Sequence, residues 1–213
     1  MVFFGLIRLR NHGIGNGVLD FDFRGGYMKR TIDTTWEQIY FFLRTGYCEE
    51  ALQVALSSRS SQRVDFAQML KEWITTRGTV ITTDLAFEKV QEFFRLPQSV
   101  RNGYNQKQLL LYAMISGSRR QIDRIWRNFP KIFDTIEDFL WFRLACIRDI
   151  VVSPVVVSDD GVAPYCLEDL QAFLNKSEPS HYTKQGTDPL VYPYVLLLSI
   201  QLVPAVNARA TKF

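Results

Sequence analysis

The stretch Thr34 to Ala55, TTWEQIYFFLRTGYCEEALQVA, restricts what the rest of the chain can build. It reads as a helix–turn–helix hairpin. Thr34 starts the first helix, with Glu37 placed to close a capping box. Trp36, Ile39, Tyr40 and Leu43 recur at helical spacing and share one face. Thr45-Gly46 then ends the helix, since glycine accepts the left-handed conformation that this position needs. Tyr47, Ala51, Val54 and Ala55 mark the apolar stripe of a second helix. Each helix is apolar along one side only, so the hairpin cannot bury itself. It needs further helices against it.

The downstream sequence supplies them. Phe66, Met69, Leu70, Trp73 and Ile74 form a helical stripe that Arg77-Gly78 stops. Thr82 or Thr83 caps the next helix, with Asp84 in its first turn. Ala86, Val90, Phe93 and Phe94 give its buried face, and Pro97 ends it. After a link at Ser99 to Gly103, Asn105 caps LLLYAMI, with Gln108 at the capping-box position. Leu109 to Ile115 is apolar all round, as in a helix packed on several sides. Ser116-Gly117 stops it. Ser118 and Gln121 open another helix by a capping box, and Ile122, Ile125, Trp126 and Phe129 follow until Pro130.

Asp134-Thr135 begins TIEDFLWFRLACIRDIV. Ile136, Phe139, Leu140, Leu144 and Ile147 share a face that Trp141, Phe142 and Ala145 widen, which predicts a central helix. Residues 151–163 read as a loop, and Pro164 to Asn175 as a helix with proline at its entry. Pro189 to Ala208 reads as a final buried helix. A weak internal repeat of helix end, tight turn and helix start recurs near Gly46, Gly117 and Gln201. The expectation is an all-α, irregular α-solenoid of stacked hairpins over 34–208. A poorly ordered segment, 1–33, precedes it, and a tail, 209–213, follows.

Chemistry is hard to place on this pattern. With 25 basic and 22 acidic residues the net charge is +3, which makes no electrostatic case for nucleic acid. Cys48, Cys146 and Cys166 lie far apart without metal-ligand spacing and read as buried, reduced thiols. His12 and His181 fall in loops, and no nucleophile–base arrangement can be assembled with them. The carboxylate pairs Glu49-Glu50, Glu137-Asp138 and Asp159-Asp160 are adjacent, so on a helix they diverge by about 100° and do not converge on a substrate. Arg119, Arg120 and Arg124 read as an exposed helix side rather than an anion site. The GIGNG run at 13–17 lacks the following Lys-Ser/Thr of a phosphate loop.

No secretory signal is evident at the start. Pro189 to Ala208 is free of charge and long enough to span a bilayer, which keeps a membrane-anchored reading open. Pro189, Pro193 and Pro204 interrupt it, and Gln201 and Asn207 would sit unsatisfied in lipid. No catalytic residue, cofactor site or metal site emerges. The reading is a scaffold that works through shape and surface.

The wording of the helices is more specific than their pattern. WEQIYFFLRTGYCEEALQVA, LLLYAMISGSRRQIDRIWRNFPKIFDTIEDFLWFRLACIRD, LEDLQAFLNK and YPYVLLLSIQLVPAVN resemble the nucleoporin-interacting-component family. These are large helical scaffold nucleoporins of the nuclear pore inner ring. Two motifs carry most of the resemblance. One is a Trp-x-x-Ile-Tyr helix running into an Arg-x-Gly turn, here Trp36, Ile39, Tyr40, Arg44 and Gly46. The other is a Thr-Ile-Glu-Asp-Phe-Leu-Trp helix, here Thr135, Glu137, Asp138 and Trp141 among its members. Gly117 marks the corresponding later turn.

The resemblance implies a coatomer-related solenoid at the nuclear envelope, without enzymatic activity, cofactor or small-molecule substrate. It implies support for protein import and mRNA export through contacts with other nucleoporins. Contact with nucleic acid is not implied, and membrane association is indirect at most. The family's N-terminal extension is absent and its solenoid continues past Asn207, so the resemblance also implies an internal or truncated stretch. A vesicle-coat adaptor of the same fold logic is the alternative.

Overall fold

The computed structural model describes residues 18–19, 32–57, 61–76, 78, 84–129, 131–133, 135–148, 163–176, 178, 182, 188 and 190–210. The readings at GIGNG, His12, His181, Arg77, Thr82, Thr83, Pro130, Asp134, the 151–162 loop, Asp159-Asp160 and Pro189 lie outside the described residues. Within them the architecture is helical. The helices are α1 (Thr35–Arg44), α2 (Cys48–Ser57), α3 (Ser61–Thr75), α4 (Asp84–Arg95), α5 (Gln98–Arg101), α6 (Gln106–Ser116), α7 (Arg119–Asn128), α8 (Ile136–Ala145), α9 (Leu167–Leu174), α10 (Val191–Leu198) and α11 (Leu202–Ala210). One short antiparallel ladder was not anticipated. Strands β1 (Val18–Leu19) and β2 (Ile32–Asp33) pair with Val18 opposite Asp33, just ahead of α1.

The α1–α2 turn closes as the glycine requires. Gly46 has φ of 84°. Its N–H donates to Leu43 O at 3.1 Å, and the Tyr47 N–H donates to Phe42 O at 2.8 Å. These two bonds are the Schellman pair that satisfies carbonyls at a helix end. Trp36, Ile39, Tyr40 and Leu43 are buried, as are Ala51 and Ala55. Tyr47 departs from its predicted stripe: it is exposed, because it is spent on the turn.

Helix α6, not α8, is the hub. Its residues Leu109 to Ser116 are all buried, and α1, α3, α4, α7 and α8 pack around it. A helix apolar on every side can take neighbours on every side. Aromatic rings fill the joints between them. Trp36 of α1, Phe66 of α3 and Tyr112 of α6 meet with ring centroids 4.9 to 6.0 Å apart. Trp126 of α7, Phe139 of α8 and Phe173 of α9 form a second cluster at 4.8 to 5.9 Å.

Several predicted boundaries move. Helix α8 ends at Ala145, well short of Val151, because Arg148 turns back into the core. Helix α9 begins at Leu167 rather than at Pro164. Pro164 instead makes an isolated bridge to Ser118, and Cys166 caps the helix through Asp169. The single helix expected over Pro189 to Ala208 is two helices, α10 and α11. They turn at Ser199 to Gln201, where the internal repeat also puts a turn. At eight and nine residues each is about 12 to 14 Å long. Among the described residues no helix is long and apolar enough to cross a membrane.

Candidate functional site: the joints between hairpins

The two sequence motifs, 94 residues apart, meet. Arg44 lies at the C-terminus of α1, where its charge opposes the helix dipole. Its Nε donates to Asp138 Oδ1 at 3.0 Å, and its guanidinium lies 5.7 Å from the Trp141 ring centre. Tyr40 packs edge-on against Trp141 at 5.2 Å. Thr135 caps α8, its Oγ1 accepting the Asp138 N–H at 3.2 Å, so the cap that starts the helix also aims the carboxylate. Both ends of the ion pair are about three-quarters covered, with side-chain exposures of 29% and 25%.

The other predicted motif residues spread around this joint. Ile39 is fully buried, and Trp36 faces α3 and α6 instead. Glu137 is exposed in the first turn of α8. Gly46 stands in open space at the hairpin tip. Gly117 belongs to a different joint.

That second joint is built on Arg148, which neither motif includes. Arg148 is buried, and its guanidinium closes two helix ends at once. One terminal nitrogen donates to Cys146 O at 3.1 Å, Ile147 O at 3.2 Å and Ala145 O at 3.3 Å, all at the end of α8. The other donates to Ile115 O at 2.9 Å and to Met114 O at the end of α6. Orphan carbonyls at a helix C-terminus carry partial negative charge, so two such ends stand in for the missing carboxylate. Burial pulls the guanidinium below its usual pKa.

Glycine makes room for this arrangement. Gly117 has φ of 57°, and a Cβ there would lie 2.5 Å from Arg148 Nε. Gly78, at the end of α3 with φ of 70°, would put one 2.9 Å from Trp73 Nε1 and 3.3 Å from an Arg148 nitrogen. The segment before α9 then zips onto the joint: Arg148 N–H to Tyr165 O at 2.9 Å, Tyr165 N–H to Gly117 O at 2.8 Å, and Arg119 N–H to Ala163 O at 3.0 Å.

Arg143 joins α7, α8 and α9. It is buried, donates to Asp123 Oδ1 at 3.1 Å and Tyr165 Oη at 3.2 Å, and lies 4.4 Å from the Phe173 ring centre. Sequence reasoning passed over Arg143, Arg148 and Tyr165. The available signal was an arginine at Phe139 plus four, on the apolar face of the most hydrophobic amphipathic stretch. A charge there needs a partner inside the fold.

At the last joint, Gln171 Nε2 donates to Ser199 O at 2.9 Å and Asn175 Nδ2 to Gln201 Oε1 at 3.0 Å. These amides of α9 clamp the α10–α11 turn. Across that turn the Ile200 N–H bonds to Leu197 O and the Gln201 N–H to Leu196 O, repeating the Gly46 geometry. Ile200 therefore takes φ of 62°, which a β-branched residue rarely adopts.

Of the capping boxes expected at Thr34, Asn105 and Ser118, the Thr34 and Ser118 caps do not form, and Glu37 and Gln121 serve such joints instead. Thr34 makes no side-chain cap bond, and Glu37 Oε1 accepts from Asn105 Nδ2 at 2.8 Å across the α1–α6 interface. Asn105 does cap α6, accepting from Lys107 N and Gln108 N. Ser118 makes no cap bond, and Gln121 instead takes the Ser116 hydroxyl at 2.9 Å and donates to Phe87 O at 2.7 Å.

These sites hold helices and do no chemistry of their own. Cys146 is wholly buried, which pushes its thiol up to about 12, out of reach as a nucleophile near neutral pH. Cys48 and Cys166 are half-buried rather than buried, and all three cysteines are free. Among the described residues no group of His, Cys, Asp and Glu could hold a metal ion.

The family model described as Nup93/Nic96 matches residues 18–212. The nuclear pore complex proteins NUP93A and NUP93B of Arabidopsis thaliana are each 57% identical over 204 residues. That alignment covers 94% of this chain and 23% of theirs. The nucleoporin NIC96 of Saccharomyces cerevisiae is 25% identical over 167 residues, 77% of this chain and 18% of its own. The chain thus spans under a quarter of the length of these relatives. With almost its whole length matched, the chain belongs to the Nup93/Nic96 family.

Proposed function

We propose that this chain is a structural segment of the nuclear pore inner-ring scaffold at the nuclear envelope. It supports transport of protein and mRNA by holding other nucleoporins in place. The family is one of structural nucleoporins rather than enzymes. In this reading residues 34–208 form the scaffold segment. Arg44, Asp138 and Trp141, with Thr135 and Tyr40, serve to fix the angle between its first and middle hairpins. The observation that carries the reading is the family match over residues 18–212.

A segment exchange tests it. This chain replaces the matching 204 residues of Arabidopsis NUP93A, and the fluorescent product is expressed in plants lacking NUP93A and NUP93B. Nuclear-rim fluorescence with co-purifying nucleoporins is expected. Vesicle-like puncta would point to the coat-adaptor alternative, and diffuse signal from a stable product would overturn the scaffold reading.

A further inference from the structure

Where α5 meets the end of α7 the surface opens into a cavity of about 400 Å³. Its floor is apolar, made by Phe93, Tyr104, Leu109 and Phe129. Its rim carries amides, including those of Gln98 and Asn128, and the side chain of Arg101. Arg101 Nε is buried without a hydrogen-bond partner. A buried donor left open is costly, and a ligand seated in the cavity would satisfy it.

The charge beside the cavity is one-sided. Arg120, Arg124 and Arg127 project from α7, whose end supplies Asn128 and Phe129 to the cavity. Arg124 lies 4.0 Å from the ring centre of Phe94, which in turn sits 6.4 Å from Phe129. Among the described residues none of Arg101, Arg120, Arg124 and Arg127 has a carboxylate partner, whereas Arg44, Arg119 and Arg143 each have one. Burial, then the neighbouring Arg120, Arg101 and Arg127, lower the Arg124 pKa. Glu92, whose charge reaches Tyr104, is already paired with Lys89 at 2.9 Å.

We propose that this cavity binds an acidic peptide segment of another protein, seating one aromatic or large aliphatic side chain on the Phe93–Phe129 floor. The rim amides suit peptide N–H and C=O groups, and the guanidiniums take the flanking carboxylates. The expected exposed helix side of Arg120 and Arg124 becomes part of a recognition surface, and the likewise exposed Arg119 pairs with Asp169 at 2.9 Å. The inference rests on the scaffold reading only in choosing a protein as partner. Loss of rim targeting with peptide binding intact would overturn that reading and leave the cavity's role standing.

The test pans a random peptide library displayed on phage against the full chain. Enriched peptides are synthesised and titrated by fluorescence anisotropy. Sequences combining Asp or Glu with one large apolar residue are expected. Arg101→Gln and Arg127→Gln should each weaken their binding by about tenfold at an unchanged melting temperature, and added salt should weaken it further. No enrichment, enrichment of peptides without carboxylates, or binding indifferent to both substitutions would overturn the proposal. So would tighter binding of single-stranded oligothymidylate with the same dependence on Arg101, since that would mark a general polyanion surface.

Discussion

Gly46 and Gly117 share a left-handed backbone and differ in what surrounds them. A Cβ at Gly46 meets nothing within 4 Å, so Gly46→Ala carries only the conformational cost, about 1 kcal/mol. At Gly117 the same methyl runs into the Arg148 guanidinium, which five carbonyls hold in place. Gly117→Ala should therefore cost roughly 3 kcal/mol, conformational strain plus overpacking. Urea unfolding of the two variants separates them, and equal losses would mean that Arg148 is not a fixed lock. Buried acids give a second prediction. Cys146 and Tyr112 are each held up to about 12 by burial, above their ordinary 9.0 and 10.0. In the unfolded chain they lose protons first, so unfolding releases protons above about pH 9 and stability falls as pH rises from there. Below pH 9 these two groups add no slope. Melting temperatures recorded from pH 7 to pH 11 check this, and a flat profile to pH 11 would contradict the burial. Both glycine turns were legible because φ above zero is written into the residue type. Arg148 was not, because its partners are backbone carbonyls, which every sequence has.

Among the elements, α6 and the α10–α11 turn show what periodicity can and cannot tell. The all-round apolar run of α6 announced multiple neighbours, and they are there. The α8 stripe looked stronger as a face, but a broad face still packs on one side, and the helix stops where Arg148 must reach inward. The turn at Ser199 to Gln201 contains no glycine or proline. Only the repeated helix-end, helix-start pattern signalled it, and its cause lies in α9, where Gln171 and Asn175 grip Ser199 and Gln201. Tertiary amide bonds thus hold Ile200 in a conformation that its own side chain opposes. Ile200 is 63% exposed, so replacing it removes little buried surface. Ile200→Gly should raise stability by about 1 kcal/mol by relieving the left-handed strain. Gln171→Ala should lower it by about 1 kcal/mol by freeing the Ser199 carbonyl. A rise for Gln171→Ala in thermal melts, or a loss for Ile200→Gly, would refute the clamp.

At the scale of the whole molecule, the joints run in series from α1 to α11, and the outer faces are not equally finished. Around α6 the apolar residues are enclosed, and the exposed large hydrophobics there are isolated. At the far end the pattern reverses. Ile200, Leu202, Val203 and Val206 on the last hairpin are 59% to 70% exposed, and Tyr194 and Leu197 of α10 are also open. Contiguous apolar surface of this kind associates in water. The charge-free run from Pro189 reads as a buried helix in the sequence, whereas its two helices leave these side chains exposed. The purified chain should therefore self-associate as its concentration rises, with the weight-average mass in sedimentation climbing above the 24.7 kDa of one copy. Association through this face is driven by apolar burial, so added salt should not dissolve it, whereas a charge pair across an interface would weaken. Val203→Lys with Val206→Glu should return the mass toward one copy while leaving the melting transition in place, since neither side chain supports the core. A mass that stays at one copy at the highest concentration reached would show that the exposed hairpin closes over itself in solution. Association that survives the double substitution would place the contact elsewhere on the stack.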